Sequence, residues 1–135
     1  MTLEGLEHIG IAVSDLDEAM AFYEEAFGLK AESIVALEER NVRVAFLPLG
    51  NTKIELLEPL GEGALSRFLE RKGEGLHHIA LGVSDIHGSL KRMKGMGIRL
   101  VDEVPRPGAE GGLVAFLHPQ STRSVLVELC EEASP

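Results

Sequence analysis

Two histidines and two glutamates stand at matching places in a sequence that repeats itself. His8 opens the run His8-Ile9-Gly10-Ile11-Ala12-Val13-Ser14-Asp15-Leu16, and His78 opens His78-Ile79-Ala80-Leu81-Gly82-Val83-Ser84-Asp85-Ile86, 70 residues later. Glu55, in Ile54-Glu55-Leu56, and Glu128, in Val127-Glu128-Leu129, are 73 residues apart. Imidazole nitrogen serves borderline divalent metals, and two carboxylates cancel a dication's charge where the dielectric is low. The four residues together therefore suit Co²⁺, Mn²⁺, Ni²⁺ or Zn²⁺, whereas Mg²⁺ and Ca²⁺ prefer all-oxygen sites. Taken singly, a strand histidine is more often a hydrogen-bonded or surface residue and a strand glutamate usually faces water. Their occurrence at equivalent positions of a duplication makes them a candidate metal site. His77 points to the opposite strand face by alternation and reads as structural, while His87 and His118 have no counterpart in the repeat.

The elements that must position these groups follow from periodicity. In each repeat small or polar residues (His8, Gly10, Ala12; His78, Ala80, Gly82) alternate with branched apolar ones, the period of a half-buried strand. Ser-Asp then offers oxygen acceptors for the free amides of a first helical turn. Leu16, Ala19, Met20, Tyr23 and Phe27 recur at helical spacing before Gly28, and Ile86, Leu90 and Met93 before Gly97. Strands are expected at about 30–38, 41–49 and 52–58, and again at 98–104, 112–118 and 124–130. Each half reads β-α-β-β-β. The fold class is therefore α+β, with two tandem βαβββ modules forming a curved mixed sheet around a metal site. Module one covers about 5–60, a connecting helix about 61–74 and module two about 75–132 of a single 1–135 domain.

Alternation places Glu55 and Glu128 on the strand face opposite Ile54, Leu56, Val127 and Leu129, toward solvent or a cavity. If the modules pack about a pseudo-twofold axis, His8 and Glu55 converge with His78 and Glu128. The basic residues Arg67, Arg71 and Lys72 of the connecting helix read as a solvated face, and 131–135 as a fraying end. Residues 105–112, rich in Pro and Gly, read as a loop beside the last strands, with Arg106 and Arg123 near enough to meet an anion.

Composition narrows the function classes. A chain of 135 residues, 44% hydrophobic and 26% charged, can bury one core. Its net charge of −9 disfavours nucleic acid as a partner. No apolar run approaches the ~20 residues that cross a bilayer, so no membrane partner is expected. The start, Met1-Thr2-Leu3-Glu4-Gly5, lacks the basic and apolar segments of a signal peptide, so the cytoplasm is the expected location. Cys130 is the only cysteine, which excludes an internal disulfide and a cysteine-rich zinc site.

The paired modules with His8, Glu55, His78 and Glu128 resemble the vicinal oxygen chelate superfamily (glyoxalase I, extradiol dioxygenases, antibiotic-binding resistance proteins). The doubled His77-His78 and the stretch His118-Pro119-Gln120-Ser121-Thr122 are most similar to its methylmalonyl-CoA epimerase family. That resemblance implies an isomerase acting on (2R)- and (2S)-methylmalonyl-CoA, a metal held by His8, Glu55, His78 and Glu128 with cobalt first among the candidates, and a homodimer. It assigns the base to Glu128; Glu55, its pseudo-symmetric mate, is the natural donor on the opposite face. It also implies that 105–112 closes on substrate. Gln120 and Ser124 stand where members commonly have Lys and Gly. Arg43 stands where some members carry a second base, which leaves that base open because arginine stays protonated. Glyoxalase I, with a similar His/Glu/His/Glu set, and a metal-free small-molecule binding protein are the competing readings.

Overall fold

Branched apolar residues at every second position make strands of Leu3–Ala12 (β1) and Gly75–Val83 (β5), and each strand runs through a Ser-Asp pair into a helix. The computed structural model describes residues 2–134. The remaining elements are α1 (Leu16–Phe27), β2 (Ser33–Leu37), β3 (Val42–Leu49), β4 (Thr52–Pro59), α2 (Ala64–Lys72), α3 (Ile86–Gly95), β6 (Arg106–Pro107), β7 (Leu113–Leu117) and β8 (Val127–Glu131), with short 3-10 turns at Glu38–Arg40 and Pro119–Ser121. The class is α+β, and each half follows the β-α-β-β-β order read from the repeat. Among the described residues no helix is long and apolar enough to cross a membrane.

The chain divides into two compact units, His8–His77 and residues 78–134 together with 2–7. The connecting helix α2 thus counts with the first unit and the opening of β1 with the second. In the first unit the strand order is β2-β3-β4-β1, with β1 parallel to β4 and the other pairs antiparallel. The second repeats the plan as β5-β8-β7-β6, with β5 parallel to β8 and the others antiparallel. Residues 3–7 of β1 lie alongside β5.

Both long helices start the same way. The Asp15 carboxylate accepts the Glu18 amide at 3.0 Å, and Asp85 accepts that of Gly88 at 3.1 Å, so aspartate and not serine is the cap in both halves. A second carboxylate reaches each helix from the end of a strand. The Leu16 amide donates to Glu58 Oε2 at 2.8 Å, and the Ile86 amide to Glu131 Oε1 at 3.0 Å. Two of the free amides of each first turn are satisfied in this way, and negative charge sits at the positive end of the helix dipole. Below these caps Leu16, with Ala19, Met20 and Tyr23, packs on Ala45, Leu47, Ile54 and Leu56. Ile86, Leu90 and Met93 pack on Ala115, Leu117, Val127 and Leu129. Gly28 closes α1 at φ 71°.

Several boundaries differ from the periodicity reading, each for a local reason. Phe27 is not in the core stripe: it is 64% exposed and joins Phe22 and Tyr23 in a surface aromatic group. The strand expected at 98–104 shrinks to a bridge between Leu100 and Leu117. There the Asp102 carboxylate takes the Phe116 amide at 2.8 Å, occupying the donor that a continuing strand would need. The last strand begins at Val127 because Arg123 and Ser124 are left-handed, at φ 59° and 72°. Residues 105–112 are not an unpaired loop but include β6, paired to β7. Gly112 is required there, since a Cβ would lie 2.2 Å from the Glu131 carbonyl oxygen. Of the stretch expected to fray, Glu131 belongs to β8, while Pro135 lies outside the described residues.

Two stability outcomes follow. Asp15→Ala and Asp85→Ala each cost about 1 kcal/mol in urea unfolding, the usual worth of an N-cap. Ser124→Gly raises stability by about 1 kcal/mol, because glycine adopts the left-handed region without a Cβ penalty.

Candidate metal centre and active site

Parallel pairing fixes the site residues pairwise. In the first unit Gly10 lies opposite Glu55 across β1 and β4, and His8, two residues earlier, projects from the same face. His8 Nδ1 is 2.9 Å from Glu55 Oε2. The second unit repeats this: Ala80 lies opposite Glu128, and His78 Nε2 is 3.4 Å from Glu128 Oε1. Glycine and alanine carry little or no side chain beside each carboxylate, so it can lean along the strand toward the imidazole. His8, Glu55, His78 and Glu128 are 4, 7, 5 and 5% exposed. The two open choices for the glutamates, water or a cavity, resolve to the interior.

A phenylalanine flanks each pair. Phe46 is opposite Glu55 across β3 and β4, and Phe116 opposite Glu128 across β7 and β8. Phe116 meets the His78 ring edge to face at 5.3 Å. These aromatics lower the local dielectric, which strengthens every charge interaction within the site. They recur at the 70-residue offset of the histidines, so the same comparison that found the ligands could have found them. Glu58 and Glu131 likewise share the 73-residue offset of Glu55 and Glu128 and were missed as helix caps.

Each pair offers an imidazole nitrogen and a carboxylate oxygen, both buried. A buried carboxylate is costly unless a positive group offsets it, and a divalent cation does so with the donor types present. The donor chemistry therefore fits a divalent metal in each unit taken by itself.

Arg43 does not belong to this face. It pairs with Glu58 in the β3–β4 register, three residues from the Phe46–Glu55 pair, so alternation turns it toward α1. Its Nε donates to Glu58 Oε1 at 3.1 Å, and its terminal nitrogen is 3.6 Å from Asp17. It orients the carboxylate that caps α1. On the site face β3 carries Val42, Val44, Phe46 and Pro48, none of which is an acid or base. Among the described residues Glu55 is the only carboxylate that β2, β3, β4 and residues 8–12 of β1 turn to that face. Glu128 holds the same position for β6, β7, β8 and residues 78–83 of β5.

The other histidines stand apart from the site. His77 packs against Phe68 at 4.8 Å, His87 is exposed, and His118 Nδ1 accepts the Gln120 amide at 3.1 Å. Gln120 is tied down in turn, its side-chain oxygen accepting from Arg99. Arg123 is exposed on the turn before β8, and Arg106 lies in β6. Arg67, Arg71 and Lys72 are exposed, the solvated face expected of them.

Comparison with known proteins matches residues 7–116 to the Glyoxalase/Bleomycin resistance protein/Dioxygenase superfamily. The human mitochondrial methylmalonyl-CoA epimerase is 44% identical over 92% of this chain and 72% of its own length. An ethylmalonyl-CoA/methylmalonyl-CoA epimerase of Cereibacter sphaeroides is 42% identical over 92% of this chain and 95% of its own. A solved methylmalonyl-CoA epimerase in complex with methylmalonyl-CoA and NH4+ superposes with a TM-score of 0.95 at 35% identity, covering 98% of this chain and 97% of that one.

Arg43→Met separates the arginine's role from that of the site. It lowers unfolding stability by about 1 kcal/mol, a partly exposed ion pair being screened by solvent, and leaves the affinity for Co²⁺ in calorimetric titration unchanged.

Proposed function

The chain belongs to the Glyoxalase/Bleomycin resistance protein/Dioxygenase superfamily, in the branch that holds the methylmalonyl-CoA epimerases, and from that premise we propose that it is an isomerase interconverting (2R)- and (2S)-methylmalonyl-CoA. The observation that carries the reading is the repeated buried pair, His8 with Glu55 and His78 with Glu128. In this reading the four residues are the ligands of one divalent cation, so both halves of the 135-residue chain work as a single domain. Cobalt is the first candidate and Mn²⁺, Ni²⁺ and Zn²⁺ the others, all compatible with two imidazoles and two carboxylates.

The hydrogen to be moved sits between a thioester and a carboxylate, and its removal leaves an enolate. A divalent cation at these donors supplies a Lewis acid that takes up the developing negative charge. The chain's own residues do the rest. Glu128, as the carboxylate, accepts the α-proton, and Glu55, in its acid form, gives its proton to the other face; exchange with water returns both groups to their starting forms. Inversion requires a donor opposite the base, and among the described residues Glu55 is the carboxylate that β2, β3, β4 and residues 8–12 of β1 turn to the face of His8. Phe46 and Phe116 keep water from the intermediate, which would otherwise level the charge interactions that stabilise it. The expected working form is a homodimer, to be checked by light scattering on the purified protein, and the expected location is the cytoplasm.

Three linked measurements test this. In deuterium oxide the protein incorporates label at the α-carbon of methylmalonyl-CoA and forms no lactoylglutathione from the glutathione hemithioacetal; the opposite pattern makes it a glyoxalase. Chelation abolishes the exchange and added Co²⁺ restores it, whereas a protein with neither metal nor activity is a binding module of the same fold. Glu128→Gln and Glu55→Gln, with metal content verified, each lower turnover by ~10²–10⁴-fold, the range of general acid–base catalysis. Full turnover in metal-loaded Glu55→Gln removes Glu55 from the proton path.

A further inference from the structure

An acyl-CoA ester carries anionic groups that a protein of net charge −9 repels unless a local cation meets them. One cation in the second unit is placed to do so. Arg106 pairs with Val114, and Val114 with Cys130, which is two residues beyond Glu128 on the same strand. Ladder partners and alternate residues share a face, so Arg106 stands on the face of Glu128 and His78, two strand spacings (~10 Å) to the side of Cys130. Val114, Cys130 and Ala80 form an apolar cluster between them. Arginine apart, β6, β7, β8 and residues 78–83 of β5 turn no lysine or arginine to that face among the described residues.

Its surroundings hold it there. Arg106 Nε is 3.1 Å from Asp102 Oδ1, but the N–H does not aim at that oxygen, so the contact is ionic and not an aligned hydrogen bond. The other Asp102 oxygen accepts the Phe116 amide at 2.8 Å, which ties the arginine's anchor to the residue flanking Glu128. Gly108 keeps the strand pressed down, since a Cβ there would come within 2.9 Å of Val114 Cγ1. The Arg106 side chain is 43% exposed, whereas Asp102 is 13% exposed. The guanidinium thus stands at the rim of the site, anchored from beneath and open above.

We propose that Arg106 binds an anionic oxygen of the acyl-CoA substrate, its acyl carboxylate or a phosphate oxygen of the CoA. The inference rests on the function proposed above. A guanidinium suits this role because its planar fork meets two oxygens at once, which a lysine cannot do.

The test is calorimetric titration of the Co²⁺-loaded protein with methylmalonyl-CoA, with propionyl-CoA, which lacks the acyl carboxylate, and with methylmalonyl-pantetheine, which lacks the phosphates. Arg106→Leu, checked to share the wild-type urea midpoint, binds methylmalonyl-CoA ~10–100-fold more weakly, as expected for a charged hydrogen bond. Arg106→Lys falls between. A loss shared with propionyl-CoA alone assigns the phosphate, and a loss shared with methylmalonyl-pantetheine alone assigns the carboxylate. Equal affinity of variant and wild type for all three ligands, or an equal loss for all three, overturns the proposal. Absence of deuterium uptake by the wild type while the ligand pattern holds overturns the epimerase reading and leaves the role of Arg106 standing.

Discussion

A carboxylate buried beside an imidazole in a β-ladder is the feature on which the rest of the molecule turns. Glu55 and Glu128 lie almost wholly out of water, and taking an ionised carboxylate there costs several kcal/mol unless positive charge and hydrogen bonds offset it. The chain prepares for that offset twice by the same device, a donor pair that a divalent cation would neutralise. A parallel strand pair brings a histidine to the diagonal position, and a residue of minimal size, Gly10 or Ala80, clears the space between. Substituting a branched side chain at either small position would separate the pair and leave its carboxylate without the offset.

The strand that carries each glutamate also governs the helix on its other face. Three residues beyond Glu55 and Glu128 the parity reverses, and Glu58 and Glu131 reach the first amides of α1 and α3. One short segment therefore presents a carboxylate to the site face and another to a helix dipole. Arg43 braces the first of these arrangements by holding Glu58. Arg43 faces away from the histidine–glutamate pair, and the opposite face of β3 carries Val42, Val44, Phe46 and Pro48.

Much of this was legible in the amino-acid order. The 70-residue offset exposed both βαβββ modules, and alternation assigned His8, His78, Glu55 and Glu128 to one face and the branched residues to the other. Helix starts were readable because Asp15 and Asp85 cap locally, within three residues. What escaped depends on partners distant in sequence or on backbone signs that composition does not encode. Asp102 stops a strand by capturing the amide of Phe116, fourteen residues on. Ser124 takes a conformation ordinarily left to glycine. The face of Arg43 is set by the β3–β4 register, which places it with Glu58, fifteen residues on. Phe27 continues the helical spacing of the core stripe but lies at the helix end, beyond the reach of the sheet.

Under the proposed function the two buried pairs, His8 with Glu55 and His78 with Glu128, hold one cation. Anomalous scattering from a crystal grown with Co²⁺ reads this most directly. A single peak per chain is expected, with a nitrogen of His8, a nitrogen of His78 and one oxygen each of Glu55 and Glu128 at about 2.0–2.2 Å, the range for such ligands on a divalent transition metal. Two peaks, one at each pair, or a peak that leaves either glutamate unbound, would contradict it.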